Sequence, residues 1–165
     1  MPFTPLHFGP GALVKSIAPR HFSLQVFILA QILIDIEPGL GLLMGWEDLH
    51  GPTHTWPGAL VIALLSYAAW RGWERYRPQR LTMPRLSAGM VSASALFGTL
   101  SHVWLDAHYH AEMAHLTPAM LAIYPHSAPL TDDLCIAAAL LALVIYGLRS
   151  LTLMLWQCYR ARRSP

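Results

Sequence analysis

Charge is scarce in this 165-residue chain: Asp, Glu, Lys and Arg together make up 12%, against roughly 25% in ordinary soluble domains. The 11 Lys and Arg barely exceed the 9 Asp and Glu, and a net charge of +2 offers no basic field for nucleic acid. Cysteine is almost missing. Cys135 and Cys158 fall in one predicted helix, about 34 Å apart along its axis, whereas a disulfide needs Cα atoms within roughly 7 Å. There is no repeat or low-complexity tract, which excludes a fibre or a solenoid. No signal peptide is legible either. Met1-Pro2-Phe3-Thr4-Pro5 carries no basic residue, and the apolar run that follows ends in Asp35-Ile36-Glu37-Pro38, not in small residues. The chain is therefore expected to be retained whole, as one domain over residues 1–165.

What the chain has is apolar sequence, 55% of it, divided by prolines. Five segments emerge: residues 11–18, entered through Pro10; 22–36, stopped at Pro38-Gly39 with an apolar tail at 40–45; 58–73; 86–110; and 134–159. A spanning helix needs about 20 mostly apolar residues. The fifth segment meets this and the third and fourth nearly do, while the first two are short enough to form a helical hairpin. The predicted fold is all-α, a polytopic membrane bundle of about five segments: the short N-terminal hairpin plus three longer helices. Small residues in the fourth segment (Ser87, Ala88, Gly89, Ser92, Ala93, Ser94, Ala95, Gly98) suit close helix contact inside a bundle. A soluble bundle would need polar helix faces, and residues 59–69 and 134–148 supply almost none.

With five alternating segments, ten of the 11 basic residues fall on one side: Lys15, Arg20, Arg71, Arg75, Arg77, Arg80, Arg85, Arg160, Arg162 and Arg163, with Arg149 the exception. Eight of the 9 acids (Asp35, Glu37, Glu47, Asp48, Asp106, Glu112, Asp132 and Asp133) fall on the other. The positive-inside rule then makes the basic side cytoplasmic. A multi-pass protein of the inner (plasma) membrane is expected, with its N-terminus outside and its C-terminus in the cytoplasm.

Of nine histidines, all but His21 map to the acidic end: His7, His50, His54, His102, His108, His110, His115 and His126. Ionisable residues in or beside membrane helices are costly and mark functional sites. Four places stand out there. His7 precedes the first helix, and Asp35 and Glu37 end the second. His50-Gly51-Pro52-Thr53-His54-Thr55 introduces the third. His102 and Asp106, four apart, project from one face of the fourth. Imidazole with carboxylate is the donor set of Zn, Mn and Fe sites, and the lack of thiolates disfavours a closed structural zinc. His108, His110, His115 and His126 read as residues of a following loop. Trp46, Trp56, Trp104, Tyr109 and Tyr124 read as an interfacial aromatic belt.

The order of these motifs resembles the predicted membrane-bound metal-dependent hydrolases, small bacterial and archaeal inner-membrane proteins. Their pattern is an early His, a helix ending P-D-[IL]-[DE], H-x-x-T-H-[ST], then S-H-x-x-x-D and a T-P element. This chain has His7, Ile34-Asp35-Ile36-Glu37-Pro38, His50-Gly51-Pro52-Thr53-His54-Thr55, Ser101-His102-Val103-Trp104-Leu105-Asp106 and Thr117-Pro118, followed by Tyr124-Pro125. The likeness covers most of the chain up to Pro125. Ile34 replaces a proline often found before the aspartate, and Gly51 stands where related sequences carry Arg. Carried over position by position, the resemblance implies metal ligands His7, Asp35, His54, His102 and Asp106, with Glu37 and His50 next in line; for a hydrolytic step, Glu37 and His50 are the candidate catalytic residues.

The expected activity is metal-dependent hydrolysis of lipid phosphoesters or esters at the extracytoplasmic face, with Zn as the metal and Mn or Fe as alternatives. Membrane lipids are the expected partners. Competing readings are a metal or proton transporter and a non-catalytic scaffold stapled by metal. A di-iron hydroxylase would need more H-x-x-x-H spacing than His50/His54 alone provides.

Overall fold

The computed structural model describes residues 5–78, 84–110, 113 and 127–163. Among them the structure is all-α. A single 3-10 turn, Pro5–His7, leads into α1 (Phe8–Ile17), followed by α2 (Leu24–Ile34) and α3 (Ile36–Met44). A second 3-10 turn, Pro52–His54, precedes α4 (Trp56–Tyr76), and α5 (Ala88–Tyr109) and α6 (Ala128–Arg163) complete the chain. Arg80, Glu112, His115, Thr117-Pro118, Tyr124-Pro125 and His126 lie outside the described residues, as do residues 1–4.

Local chemistry sets the starts. The Ser23, Thr55 and Ser87 hydroxyls accept hydrogen bonds from Val26, Gly58 and Met90 N–H, capping α2, α4 and α5. Pro38 does not stop the second segment as its sequence suggested. It is the third residue of α3, in a first turn where an N–H is dispensable, so the helical path runs on with only Asp35 interrupting it. The N–H that Pro38 lacks would have bonded the Ile34 carbonyl, and the Thr53 hydroxyl lies 3.4 Å from that oxygen. α3 ends at Gly45, whose φ of 71° is the left-handed conformation glycine adopts most readily.

Three stretches are long and apolar enough to cross a membrane: Leu24–Met44, Ala88–Tyr109 and Ala128–Ala161. α4, at 21 residues, has the length but carries Arg71, Glu74 and Arg75 in its last turns. Only 11% of the α6 span is buried, against 44% for the other two, so its leucines face outward all round. An apolar helix exposed in this way fits lipid, not water.

α2, α4 and α5 pack against one another, and α1 lies along α6. Val26, Ala63, Val91 and Ala95 form one buried cluster, and Ile34, Ala59, Ile62 and Val103 form another nearer the histidines. Gly98 permits the α2–α5 approach: a Cβ there would sit 2.9 Å from Ala30 Cβ and 3.2 Å from the Phe27 carbonyl. Of the small residues noted in this helix, Ser94, Ala95 and Gly98 are buried, whereas Ser87, Ala88, Gly89 and Ala93 are exposed. α1 leads away from His7 and α2 returns to Asp35, α4 leaves His54, and α5 arrives at Asp106. All candidate ligands therefore gather at one end of the bundle. At the other, Lys15 donates to the Pro19 and Phe22 carbonyls at 2.8 Å. Arg71 donates to Glu74 and to the Leu86 carbonyl, tying α4 to α5.

Candidate metal centre

Asp35, His54, His102 and Asp106 each offer one donor atom to a common space, all four atoms lying within 4.8 Å of one another. Asp35 comes from the one-residue break between α2 and α3. His54 ends the 3-10 turn that Thr55 couples to α4, and His102 and Asp106 are stacked one turn apart on α5. His102 Nε2 is 3.1 Å from Asp35 Oδ1 and 2.9 Å from Asp106 Oδ2. His54 Nε2 is 3.8 Å from Asp35 Oδ1 and 3.4 Å from Asp106 Oδ2. Side-chain exposure runs from 0% at His54 to 9% at Asp35, so the centre is closed apart from the Asp35 side.

These separations suit a divalent cation. Bonds of about 2.0–2.2 Å at tetrahedral angles place neighbouring donor atoms about 3.3–3.6 Å apart, and octahedral angles bring them to about 3.0 Å. The four measured edges straddle those values. Moreover, His54 Nε2 and His102 Nε2 are buried and make no hydrogen bond, despite carboxylate oxygens at 3.4 and 2.9 Å. The nitrogens and oxygens converge on one shared space. Two buried imidazole nitrogens left this way cost about 1–3 kcal/mol each unless something else satisfies them.

The far nitrogens explain why the near ones are free. Gln31 is buried on α2; its Nε2 donates to the Gly98 carbonyl at 3.3 Å, which turns its Oε1 to His102 Nδ1. That oxygen can only accept, so His102 Nδ1 carries a proton, and Nε2 is the nitrogen left to bind a cation. His54 is set the same way. Glu37 Oε2 accepts from the Thr53 N–H at 2.9 Å and from the Thr53 hydroxyl. With its proton committed to Glu37, the hydroxyl oxygen accepts from His54 Nδ1 at 3.0 Å. Gly51 makes room for this, since a Cβ there would overlap Glu37 Oε1. Metal-binding histidines are oriented by such partners in general.

No family model matches this chain, and no curated relative or solved structure matches it. The site rests on its own geometry.

That geometry distributes the candidate residues unevenly. Four of the five predicted ligands converge. His7 stands beside them, with its Nε2 3.5 Å from Asp106 Oδ1 and its ring packed edge-on against His102 at 4.9 Å. Burial pushes the His7 imidazole down to about 4, against the pull of Asp106, so it is neutral at pH 7. Glu37 is drawn onto Thr53, and His50 stacks between His54 and His110, ring centroids 4.9 and 4.5 Å away. His108, read from sequence as a loop residue, is a buried part of α5 whose Nδ1 donates to the Trp104 carbonyl at 2.6 Å. Trp46, Trp56 and Trp104 are partly exposed at this end, as an aromatic belt would be. Gln31 and Thr53 were missed. A single buried glutamine inside the apolar run of α2 was the available signal for the first, and the Thr beside His54 for the second.

Proposed function

We infer that this chain is an integral membrane protein whose His/Asp centre binds a divalent metal and works as a metal-dependent hydrolase on lipid phosphoesters or esters. One observation carries the reading: Asp35, His54, His102 and Asp106 are brought from three separate stretches of chain to one buried point, with the Nε2 of both imidazoles facing it and their Nδ1 held from behind. Bound there, a cation would supply Lewis-acid chemistry, lowering the pKa of a water and polarising a phosphoryl or acyl oxygen. Zn suits the donor set, with Mn and Fe as alternatives. The motif order that resembles the membrane-bound metal-dependent hydrolases points the same way.

The chain's own residues supply the rest. Glu37 and Thr53 hold His54, and Gln31 holds His102. His50, beside His54 and half-way to the more open His110, is the better-placed proton acceptor, because Glu37 Oε2 is already engaged twice. An apolar groove of about 430 Å³ runs along the neighbouring face of α5, between Pro10, Trp56, Phe97, Leu100 and Trp104. It starts one residue along the helix from the ligands, and an acyl chain fits it. A five-segment arrangement, in which α1 and α4 also enter the membrane, puts the centre at the extracytoplasmic headgroup level with the arginines inside. A transporter would need charged groups along a path at mid-depth, and residues 24–34, 56–70, 88–101 and 134–148 contain no Asp, Glu, Lys, Arg or His, with Arg149 alone inside the last apolar segment, 134–159.

The test is turnover of phospholipids and lipid esters in vesicles with Zn, Mn or Fe supplied. Metal-dependent release of product, lost in His102→Ala, supports the reading. A wild type that holds metal and turns over nothing overturns hydrolysis in favour of the stapled scaffold.

A further inference from the structure

At the end of the bundle away from the metal centre, the last turns of α4 and the approach to α5 border a cavity of about 590 Å³, lined by Arg71, Gly72, Glu74, Arg75, Tyr76 and Arg85. Its single acid is already paired. Glu74 is buried, with its Oε2 2.6 Å from Arg71 and its Oε1 accepting the Leu86 N–H at 2.8 Å. Arg71 also donates to the Leu86 carbonyl at 2.9 Å, so the pair serves to tie α4 to the start of α5. Arg75 and Arg85 differ. Both are exposed, and neither makes a hydrogen bond or an ion pair among the described residues. Three guanidiniums against one carboxylate leave the cavity with two positive charges in excess. Its wall is low at Gly72, where a Cβ would meet nothing within 4 Å.

The depth of the cavity follows from α4. Trp56 opens this helix and Tyr76 closes it, and at about 1.5 Å per residue they stand about 30 Å apart, the thickness of a hydrocarbon core. Between them Leu60, Val61, Leu64 and Leu65 are exposed, as side chains facing lipid are. With α4 spanning the membrane, as proposed above, Trp56 marks one interface and the cavity lies at the headgroup level of the other. We propose that this cavity binds a phosphate group, that of an anionic phospholipid in the leaflet opposite the metal centre. Arg75 and Arg85 hold it, and the Arg71–Glu74 pair keeps the two from drifting apart. Guanidinium forks match phosphate oxygens, and basic pockets at this level take anionic headgroups in general. The binding needs neither metal nor turnover, so it stands apart from the hydrolase reading and rests only on the placement of α4.

Full-length protein in neutral detergent is titrated calorimetrically with short-chain phosphatidylglycerol, with phosphatidylcholine of the same chains and with inorganic phosphate. Wild type should bind one phosphatidylglycerol per chain, saturably and more tightly than either of the others. Arg75→Gln/Arg85→Gln should weaken that binding by about 30-fold, at roughly fivefold for each basic residue beside an anionic headgroup. Gly72→Leu adds bulk to the cavity without changing charge, and should weaken it several-fold. Arg20→Gln/Arg149→Gln removes two exposed charges outside the cavity and should leave it unchanged. Equal weakening in that control pair reduces the effect to overall charge and overturns the site, as does unchanged binding in Gly72→Leu. Inorganic phosphate bound as tightly as the lipid overturns the headgroup as its source, and with it the placement of α4. A wild type with no saturable phosphatidylglycerol binding overturns the proposal outright, whatever its metal content. If the paired arginine variant does not fold, Gly72→Leu against wild type decides alone.

Discussion

Replacing Gln31 by Leu keeps the volume of the side chain and removes the acceptor that holds the Nδ1 proton of His102. In the native protein Gln31 Oε1 receives the Nδ1–H, and Gln31 Nε2 is pinned on the Gly98 carbonyl. Without that oxygen, His102 in the metal-free protein moves its proton to Nε2, where the carboxylates of Asp35 and Asp106 lie at 3.1 and 2.9 Å. Metal binding then has to return the proton to Nδ1 and leave it buried without a partner. An unsatisfied buried donor costs about 1–3 kcal/mol, which is a loss of about 5–150-fold in affinity. That agrees with the roughly 10–100-fold seen when the outer partner of a metal-binding histidine is removed. Competition against a chromophoric chelator, in detergent, measures it. Gln31→Glu retains an acceptor and should stay within a few-fold of wild type. An unchanged affinity in Gln31→Leu would refute the tautomer argument, and with it the explanation of why His102 Nε2 faces the centre unbonded.

Thr53→Val removes the hydroxyl between Glu37 and His54 without changing shape, and should lower metal affinity by about 10–100-fold in the same titration. Gly98→Leu forces a side chain against Ala30 and the Phe27 carbonyl, so thermal stability should drop by about 1–3 kcal/mol in a melting experiment. Because His7 is held near 4 in the folded protein and 6.5 when unfolded, the unfolded chain takes up a proton first as the pH falls. The metal-free protein should therefore lose on the order of 3 kcal/mol between pH 6.5 and 4 from this group, with none lost above pH 6.5. His7→Gln should flatten that part of the pH dependence of its melting temperature.

Much of the fold was legible because it follows from burial. The apolar runs became helices, and the His102/Asp106 spacing delivered two donors to one face. Pro38 misled because proline stops a helix in its interior but not in its first turn, and no local pattern told the two apart. His7 was read as one ligand among five; it stands beside the four that converge, with its Nε2 3.5 Å from Asp106 Oδ1, a distinction of ångströms that spacing cannot carry. The links from Gln31 to His102 and from Glu37 through Thr53 to His54 span 71 and 16 residues. Such long-range pairs leave only a faint trace in sequence, a polar side chain where the surroundings are apolar.

The central claim is that four side chains from three separate stretches of the chain hold one divalent metal. Elemental analysis of the purified protein beside Asp35→Ala, His54→Ala, His102→Ala and His126→Ala tests it most directly. At least one ion per chain is expected in wild type and in His126→Ala, with marked loss in the other three. Equal metal content across all five proteins, or a wild type that holds none after reconstitution, would contradict the account.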